Sequence, residues 1–260
     1  MEQQYGICKV AVAPIRTEQS DQSEISSQLL FGDHVEILEQ TDRWLFVRNA
    51  YDGYEGWMDF KQLSSLSSEQ YAAHHHYHTM APAQALNVIT AADGSNYYLS
   101  PGSKLPAYAA GFCYLGTDQF QVSFTPHQPD PVPSAANITA TALFFKNVPY
   151  QWGGRTLFGI DCSGFVQTVF KLNGIPLKRD AWQQAEEGTT VDFLPEVQAG
   201  DLAFFDNDKG RIIHVGLMLN ANEIIHASGR VKIDTMDGEG IFSTELGRYS
   251  HKLRIIKRFI

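Results

Sequence analysis

The sequence predicts an α+β protein. A strand-rich N-terminal half is joined by a proline-rich linker to a C-terminal domain in which helices come first and strands afterwards. Three observations carry this. Between residues 26 and 63, short apolar runs alternate with Gly, Asp and Asn turn residues. Four prolines crowd into Pro126-His127-Gln128-Pro129-Asp130-Pro131-Val132-Pro133, a stretch that suits neither a helix nor a central strand. Beyond it a helical spacing gives way, from Asp201 onward, to β-type runs. The 260 residues accommodate two or three small units.

In order, Leu29-Leu30-Phe31, His34 to Leu38, Trp44 to Val47 and Gly56-Trp57-Met58 read as the strands of a small β-barrel. A weaker copy follows about 70 residues later. Phe31-Gly32-Asp33-His34-Val35 is echoed by Pro101-Gly102-Ser103-Lys104-Leu105, and Asp42-Arg43-Trp44 by Asp118-Gln119-Phe120. Between the copies lie His74, His75, His76 and His78. Without carboxylate or thiol support they read as part of a solvated linker and not as metal ligands. After the prolines, Ile138, Ala142 and Phe145 predict a helix over 137–147. A second helix is predicted over 163–173, ended by Gly174 and Pro176. Strands are predicted at 202–205, 212–219, 223–227, 231–234 and 253–259.

Composition excludes several classes. A hydrophobic fraction of 43% with 19% charged residues belongs to a globular protein. A net charge of -9 without a basic stripe argues against a nucleic-acid partner. No apolar stretch approaches the roughly 20 residues of a membrane helix, so no membrane partner is expected. Met1 to Cys8 lacks a charged leader with an apolar core, and Cys8, Cys113 and Cys162 form no short-spaced pair. A reducing, cytoplasmic location is therefore expected.

Cys162, in Gly159-Ile160-Asp161-Cys162-Ser163-Gly164-Phe165, stands at the predicted start of a helix. The partial positive charge there favours thiolate, and the free N–H groups suit an oxyanion. A thiol nucleophile needs a base, and the base an orienting group. His214 sits in an apolar strand on the face it shares with Ile212 and Gly216. His226 lies in the next strand. A hairpin through residues 220–222 brings the two to similar distances from the turn. One imidazole then serves as base while the other fixes its orientation and tautomer.

These residues together resemble the NlpC/p60 family of cysteine peptidases, which act on peptidoglycan stem peptides. The matching segments are Val148-Pro149-Tyr150-Gln151-Trp152-Gly153-Gly154, the segment around Cys162, Gly200-Asp201-Leu202, His214-Val215-Gly216 and Ile225-His226-Ala227. The N-terminal half is similar to the bacterial SH3-type domains of the YkfC-like subgroup, through Asp52-Gly53-Tyr54-Glu55-Gly56-Trp57 and, more loosely, Tyr98 to Ser103. The resemblance implies a first SH3-type domain over 1–66, a degenerate second over 67–125, a linker over 126–134 and a papain-like peptidase domain over 135–260.

The same resemblance implies Cys162 as nucleophile, His214 as general base and then acid, His226 as orienter and Tyr150 as a group polarising the scissile carbonyl. Asp161 and Ser163 are implied to receive a free substrate amine, with Asp180 beside them. Glu24 and Tyr54 of the first SH3-type domain are expected to wall that pocket. Where many relatives carry Ser after Arg179-Asp180, this chain has Ala181. The implied reaction cuts the γ-D-glutamyl–diamino acid bond of murein peptides and releases L-Ala-γ-D-Glu, in cell-wall recycling. The expected enzyme is a monomer and needs no metal or cofactor. Two rivals are a secreted hydrolase of intact wall and a non-catalytic wall-binding protein.

Overall fold

The short apolar runs of the N-terminal half become antiparallel strands in the computed structural model, which describes residues 3–260. They are β1 (Gln4–Cys8), β2 (Val12–Arg16), β3 (Ile25–Leu30), β4 (His34–Gln40), β5 (Trp44–Asn49), β6 (Glu55–Asp59) and β7 (Leu63–Leu66). They assemble in the order β3-β2-β6-β5-β4-β1-β7. Alternation fixes the register: Leu45 and Val47 are buried while Arg48 is exposed. Gly32 turns β3 into β4 at φ 79°, where a Cβ would lie 2.6 Å from the Lys104 carbonyl oxygen. No other residue fits that close approach.

The weaker copy forms β8 (Asn87–Ala91), β9 (Asn96–Leu99), β10 (Phe112–Leu115) and β11 (Asp118–Val122), ordered β10-β11-β8-β9. Its Gly102 repeats the positive φ of Gly32. Ile7, Phe31 and Leu66 pack in one core with Ile89, Leu105 and Phe120. The two strand groups thus share their interior, and the Phe31 and Phe120 rings meet edge to face at 5.3 Å.

The histidine-rich segment departs from the solvated linker expected of it. It begins with helix α1 (Ser68–His74), closed by a capping box in which Ser67 Oγ accepts from Gln70 N–H and Gln70 Oε1 from Ser67 N–H. His74 is buried, its ring 5.6 Å from that of His34. The Ser-x-x-Gln cap was the signal, and it was hidden behind the histidines. The proline-rich run is also tied down at its start. His127 exchanges backbone hydrogen bonds with Met80 at 2.8 and 2.9 Å. The chain divides into two compact units between Pro129 and Asp130.

The second unit begins with α2 (Ala135–Phe144), capped by Ser134. It stops short of the expected end because Asn147 takes a left-handed φ of 73°. Two short strands, β12 (Arg155–Thr156) and β13 (Gly159–Ile160), lead into α3 (Cys162–Leu172). The short helix α4 (Ala181–Gln184) and strand β14 (Thr189–Thr190) follow. The remaining strands are β15 (Leu202–Asp206), β16 (Ile212–Asn220), β17 (Glu223–Ser228), β18 (Arg230–Met236), β19 (Gly240–Ser243) and β20 (Arg248–Arg258). Because β20 pairs with both β15 and β19, these six close into a barrel.

Every residue of α3 is buried, as expected of a helix enclosed on all sides. Phe165, Val166, Val169 and Phe170 are completely inaccessible, each contributing roughly 1.5–3 kcal/mol of apolar burial. The helix packs on β16 and β17. A well-buried helix thereby holds Cys162 against the strands that carry His214 and His226.

Candidate active site

The site grows from the turn before α3. Asp161 is the N-cap, its extended backbone leaving the carboxylate over the helix entrance. Oδ1 accepts from Gly164 N–H at 2.7 Å and Ser163 Oγ–H at 3.2 Å, while Oδ2 accepts from Gly153 N–H at 2.8 Å. Arg179, itself 1% exposed, adds a two-pronged ion pair: Nη1 to Oδ1 at 3.1 Å and Nη2 to Oδ2 at 2.6 Å. Nη1 also donates to Ser163 Oγ at 2.9 Å. A carboxylate has about four lone-pair sites, and all are taken. An incoming amine therefore reaches the Asp161 carboxylate only by displacing one of these donors.

Glycines make the turn possible. A Cβ on Gly164 would lie 2.4 Å from the Gly154 carbonyl oxygen, and one on Gly154 2.4 Å from that of Gly159. The segment resemblance around Tyr150 and Cys162 is thus two stretches of backbone packed face to face.

Cys162 is the first residue of α3 and is 6% exposed. Burial pushes its thiol up to about 12, with the Asp161 carboxylate adding to the shift. Backbone hydrogen bonds at Val215 and Ser163, together with Arg179, oppose it. Desolvation thus opposes the thiolate that the helix N-terminus favours. The link to Val215 places the sulfur beside the residue that follows His214.

The hairpin of β16 and β17 sets the imidazoles. Gly216 pairs with His226, so His214 stands two residues along the same face, diagonally opposite His226. His214 Nε2 and His226 Nδ1 lie 2.9 Å apart, and His226 Nε2 lies 3.1 Å from Asp234 Oδ2. The direction of the chain follows from the carboxylate, which only accepts. His226 donates from Nε2 to Asp234, so its Nδ1 accepts from His214 Nε2–H. A neutral His214 then keeps its lone pair on Nδ1. Burial holds the His214 ring well below its ordinary value, reinforced by His226 and His251.

Asp234 and Arg179 were missed in the sequence reading, and so was His251. Asp234 had a signal: Ser228 pairs with Arg230 across Gly229, and from that turn strict alternation puts Asp234 on the face of His226. Lys232 holds the same carboxylate at 3.2 Å, and together with His226 it draws Asp234 below its usual range. His251 comes from β20 and stacks on His214 at 4.1 Å between ring centroids. Nothing local in its sequence distinguishes it.

The other expected residues are distributed as follows. Tyr150 is half-buried, and its hydroxyl is pushed up by burial and then by its neighbours Cys162 and Asp161. Ser163 is buried against Asp161 and Arg179. Asp180 caps α4 and accepts from Trp182 Nε1–H at 3.3 Å. Glu24, exposed just before β3, and Tyr54, packed on the first barrel's core, belong to the N-terminal unit.

Comparison with known proteins places the chain in a family. The profile of the NlpC/P60 family matches residues 147–247, and that of the bacterial dipeptidyl-peptidase Sh3 domain matches residues 15–63. The chain is 33% identical over 218 residues to the gamma-D-glutamyl-L-lysine dipeptidyl-peptidase of Bacillus subtilis, covering 78% of this chain and 72% of that protein. It is 28% identical over 251 residues to dipeptidyl-peptidase 6 of Lysinibacillus sphaericus, covering 87% and 89%. The crystal structure of an NlpC/P60 family protein from Bacillus cereus superposes with a TM-score of 0.83 at 21% identity, covering 98% of this chain and 99% of that one. That likeness extends the shared fold over both units. With a thiol at a helix entrance, a paired imidazole chain beside it and a relative matched over most of its length, the chain belongs to the NlpC/P60 family of cysteine peptidases.

Proposed function

We propose that this peptidase hydrolyses the γ-D-glutamyl–diamino acid bond of murein peptides that carry a free N-terminal L-Ala, releasing L-Ala-γ-D-Glu. The substrate class is taken from the relatives' names, dipeptidyl-peptidases acting at gamma-D-glutamyl-L-lysine. The observation that carries the chemistry is the hydrogen-bond chain from Asp234 through His226 to His214, whose next residue, Val215, hydrogen-bonds the buried thiol through its backbone.

In this reading the Cys162 Sγ attacks the γ-carbonyl carbon as His214 Nδ1 takes the thiol proton. The Cys162 backbone N–H at the start of α3 and the Tyr150 hydroxyl near Cys162 face the developing oxyanion, while the Ser163 N–H follows the sulfur. The C–N bond breaks as His214 returns the proton to the leaving amine, leaving a thioester. Water, deprotonated by His214, then releases the dipeptide and restores the thiol. His226 holds the reactive tautomer throughout, and Asp234 holds His226.

Asp180 and Ser163 are assigned to substrate selection, and the enzyme to murein-peptide recycling in the cytoplasm as a monomer. Among the described residues no helix is long and apolar enough to cross a membrane. The test is incubation with L-Ala-γ-D-Glu-diaminopimelate, its lysine counterpart and an N-acetylated analogue, followed by mass spectrometry. Release of L-Ala-γ-D-Glu from the free-amine peptides, abolished by Cys162→Ala, is expected. Equal turnover of the acetylated peptide would remove the amine-selective part of the assignment. Lytic activity on whole sacculi would favour a wall hydrolase instead.

A further inference from the structure

The peptidase chemistry leaves one histidine of this centre unused. His251 stacks on His214 and lies 5.8 Å from His226 by ring centroids. One ring nitrogen from each of the three lies within 4.8 Å of the others. The geometry points to a second property of this centre: His214, His226 and His251 form a binding site for a divalent transition-metal ion, Zn2+ above all, whose occupancy switches the peptidase off.

The proton positions favour it. Ser250 Oγ–H donates to the Ile241 carbonyl, so Ser250 Oγ accepts from His251 Nδ1–H at 2.9 Å. That leaves the lone pair of His251 on Nε2. His226 donates from Nε2 to Asp234 and keeps its lone pair on Nδ1. A carboxylate behind a ligand imidazole is the arrangement that orients histidines in metal centres and raises their basicity. His214 completes the set when its proton moves from Nε2 to Nδ1, so the metal binds three neutral imidazoles and no proton need leave the site. Three histidines plus a water satisfy the tetrahedral preference of Zn2+ once the His251 ring, stacked on His214 in the free centre, turns so that both lone pairs meet at the ion.

The surface beside His251 is acidic. His251 lies on the wall of a cavity of about 620 Å³ that Asp206, Asp208 and Glu239 line together with Lys252. Three carboxylates and one ammonium line it, and Asp206 Oδ2 also lies 3.8 Å from Arg254 Nε. Asp206 Oδ1 is buried and has no hydrogen-bond partner.

The same proton movement explains the inhibition. With the metal on Nε2, His214 carries its proton on Nδ1, the atom that must accept the proton of Cys162. This consequence rests on His214 being the base; the binding itself does not.

The test uses the full-length Cys162→Ala protein, in which a metal held by the active-site thiol is lost. Calorimetric titration of the EDTA-stripped protein with Zn2+ is expected to show a site that disappears, by one equivalent, in Cys162→Ala/His251→Phe. Phenylalanine keeps the stacked ring and removes both donors. Asp234→Asn is expected to weaken the same site about 10- to 100-fold. Co2+ is expected to give the visible absorption of a tetrahedral nitrogen site in Cys162→Ala. Superimposable titrations with and without His251, or absence of binding in Cys162→Ala, would overturn the site. In the unmutated enzyme, Zn2+ should abolish turnover, with recovery on adding EDTA. A His251-dependent Zn2+ that leaves turnover unchanged would support the metal site and overturn His214 as the base, so the two readings fail separately.

Discussion

Replacing Asp234 by Asn tests the hydrogen-bond chain without touching the nucleophile. The carboxylate can only accept, and this is what commits His226 to its Nε2–H tautomer across the 3.1 Å contact. An amide can turn its NH2 toward Nε2. His226 would then carry its proton on Nδ1 and present it to His214 Nε2, pushing the His214 proton to Nδ1 and occupying the base. The lost term is one hydrogen bond to a charged group, about 1.5–3 kcal/mol. At 1.36 kcal/mol per decade this predicts a fall in kcat of roughly 10- to 150-fold. When the acid touches the base directly, as in serine proteases, the same change costs on the order of 10⁴; one imidazole intervenes here, so a smaller effect is expected. KM should hold, since Asp234 is buried behind His226. The assay is steady-state hydrolysis of L-Ala-γ-D-Glu-Lys, with circular dichroism to confirm the fold. Unchanged kcat in a folded Asp234→Asn protein would refute the chain as the device that sets the His214 tautomer.

Three further outcomes follow from the geometry. Gly216→Ala places a Cβ 2.6 Å from Ile224 Cδ1 and 2.9 Å from His226 Cβ; overpacking of this kind costs about 1–3 kcal/mol, and kcat should fall further than the melting temperature implies, because His226 itself must shift. Arg179→Met leaves the Asp161 carboxylate buried without its partner, so urea denaturation should show a loss of about 3–5 kcal/mol; a loss below 1 kcal/mol would mean that the backbone donors hold Asp161 alone. Burial lowers His251 and His74 to about 4 and His34 to about 3, with His214 also well below 6.5. Below pH 6.5 the unfolded chain therefore binds more protons than the folded one, and stability present above that pH is lost on acidification toward 4. A melting temperature lower at pH 5 than at pH 7 is expected, while the acid limb of kcat/KM should lie below 6.5.

Much of this was legible in the sequence because the informative residues sit in local patterns. The helix start at Cys162 was marked by Asp161 and Gly164, and the hairpin by the asparagines around Ala221. Alternation then put His214 on the same face as Gly216. What stayed hidden depends on long-range pairing. Arg179 is 18 residues from Asp161, yet nothing in Lys178-Arg179-Asp180 distinguishes a buried anchor from a surface charge. His251 reaches the site because β20 pairs with both β15 and β19, a closure that no local period encodes. The histidines at 74–78 misled in the opposite direction: their polarity suggested solvent, while the cap at Ser67 and Gln70 had already started a helix that buries His74.

The protonation state of the nucleophile shows why geometry had to decide where local reasoning could not. A helix N-terminus stabilises negative charge by about 0.3–2 kcal/mol. Burial raises the Cys162 thiol from 9.0 to about 12, on the order of 4 kcal/mol against the thiolate. Burial wins, and the same desolvation holds His214 neutral. Burial thus disfavours a resting ion pair and favours charge separation once an acceptor carbonyl reaches the sulfur. That assigns the chain behind His214 its moment of action. Asp234 and His226 contribute little while thiol and imidazole are neutral, and most when His214 becomes a cation. Their removal should consequently lower kcat and leave KM nearly untouched.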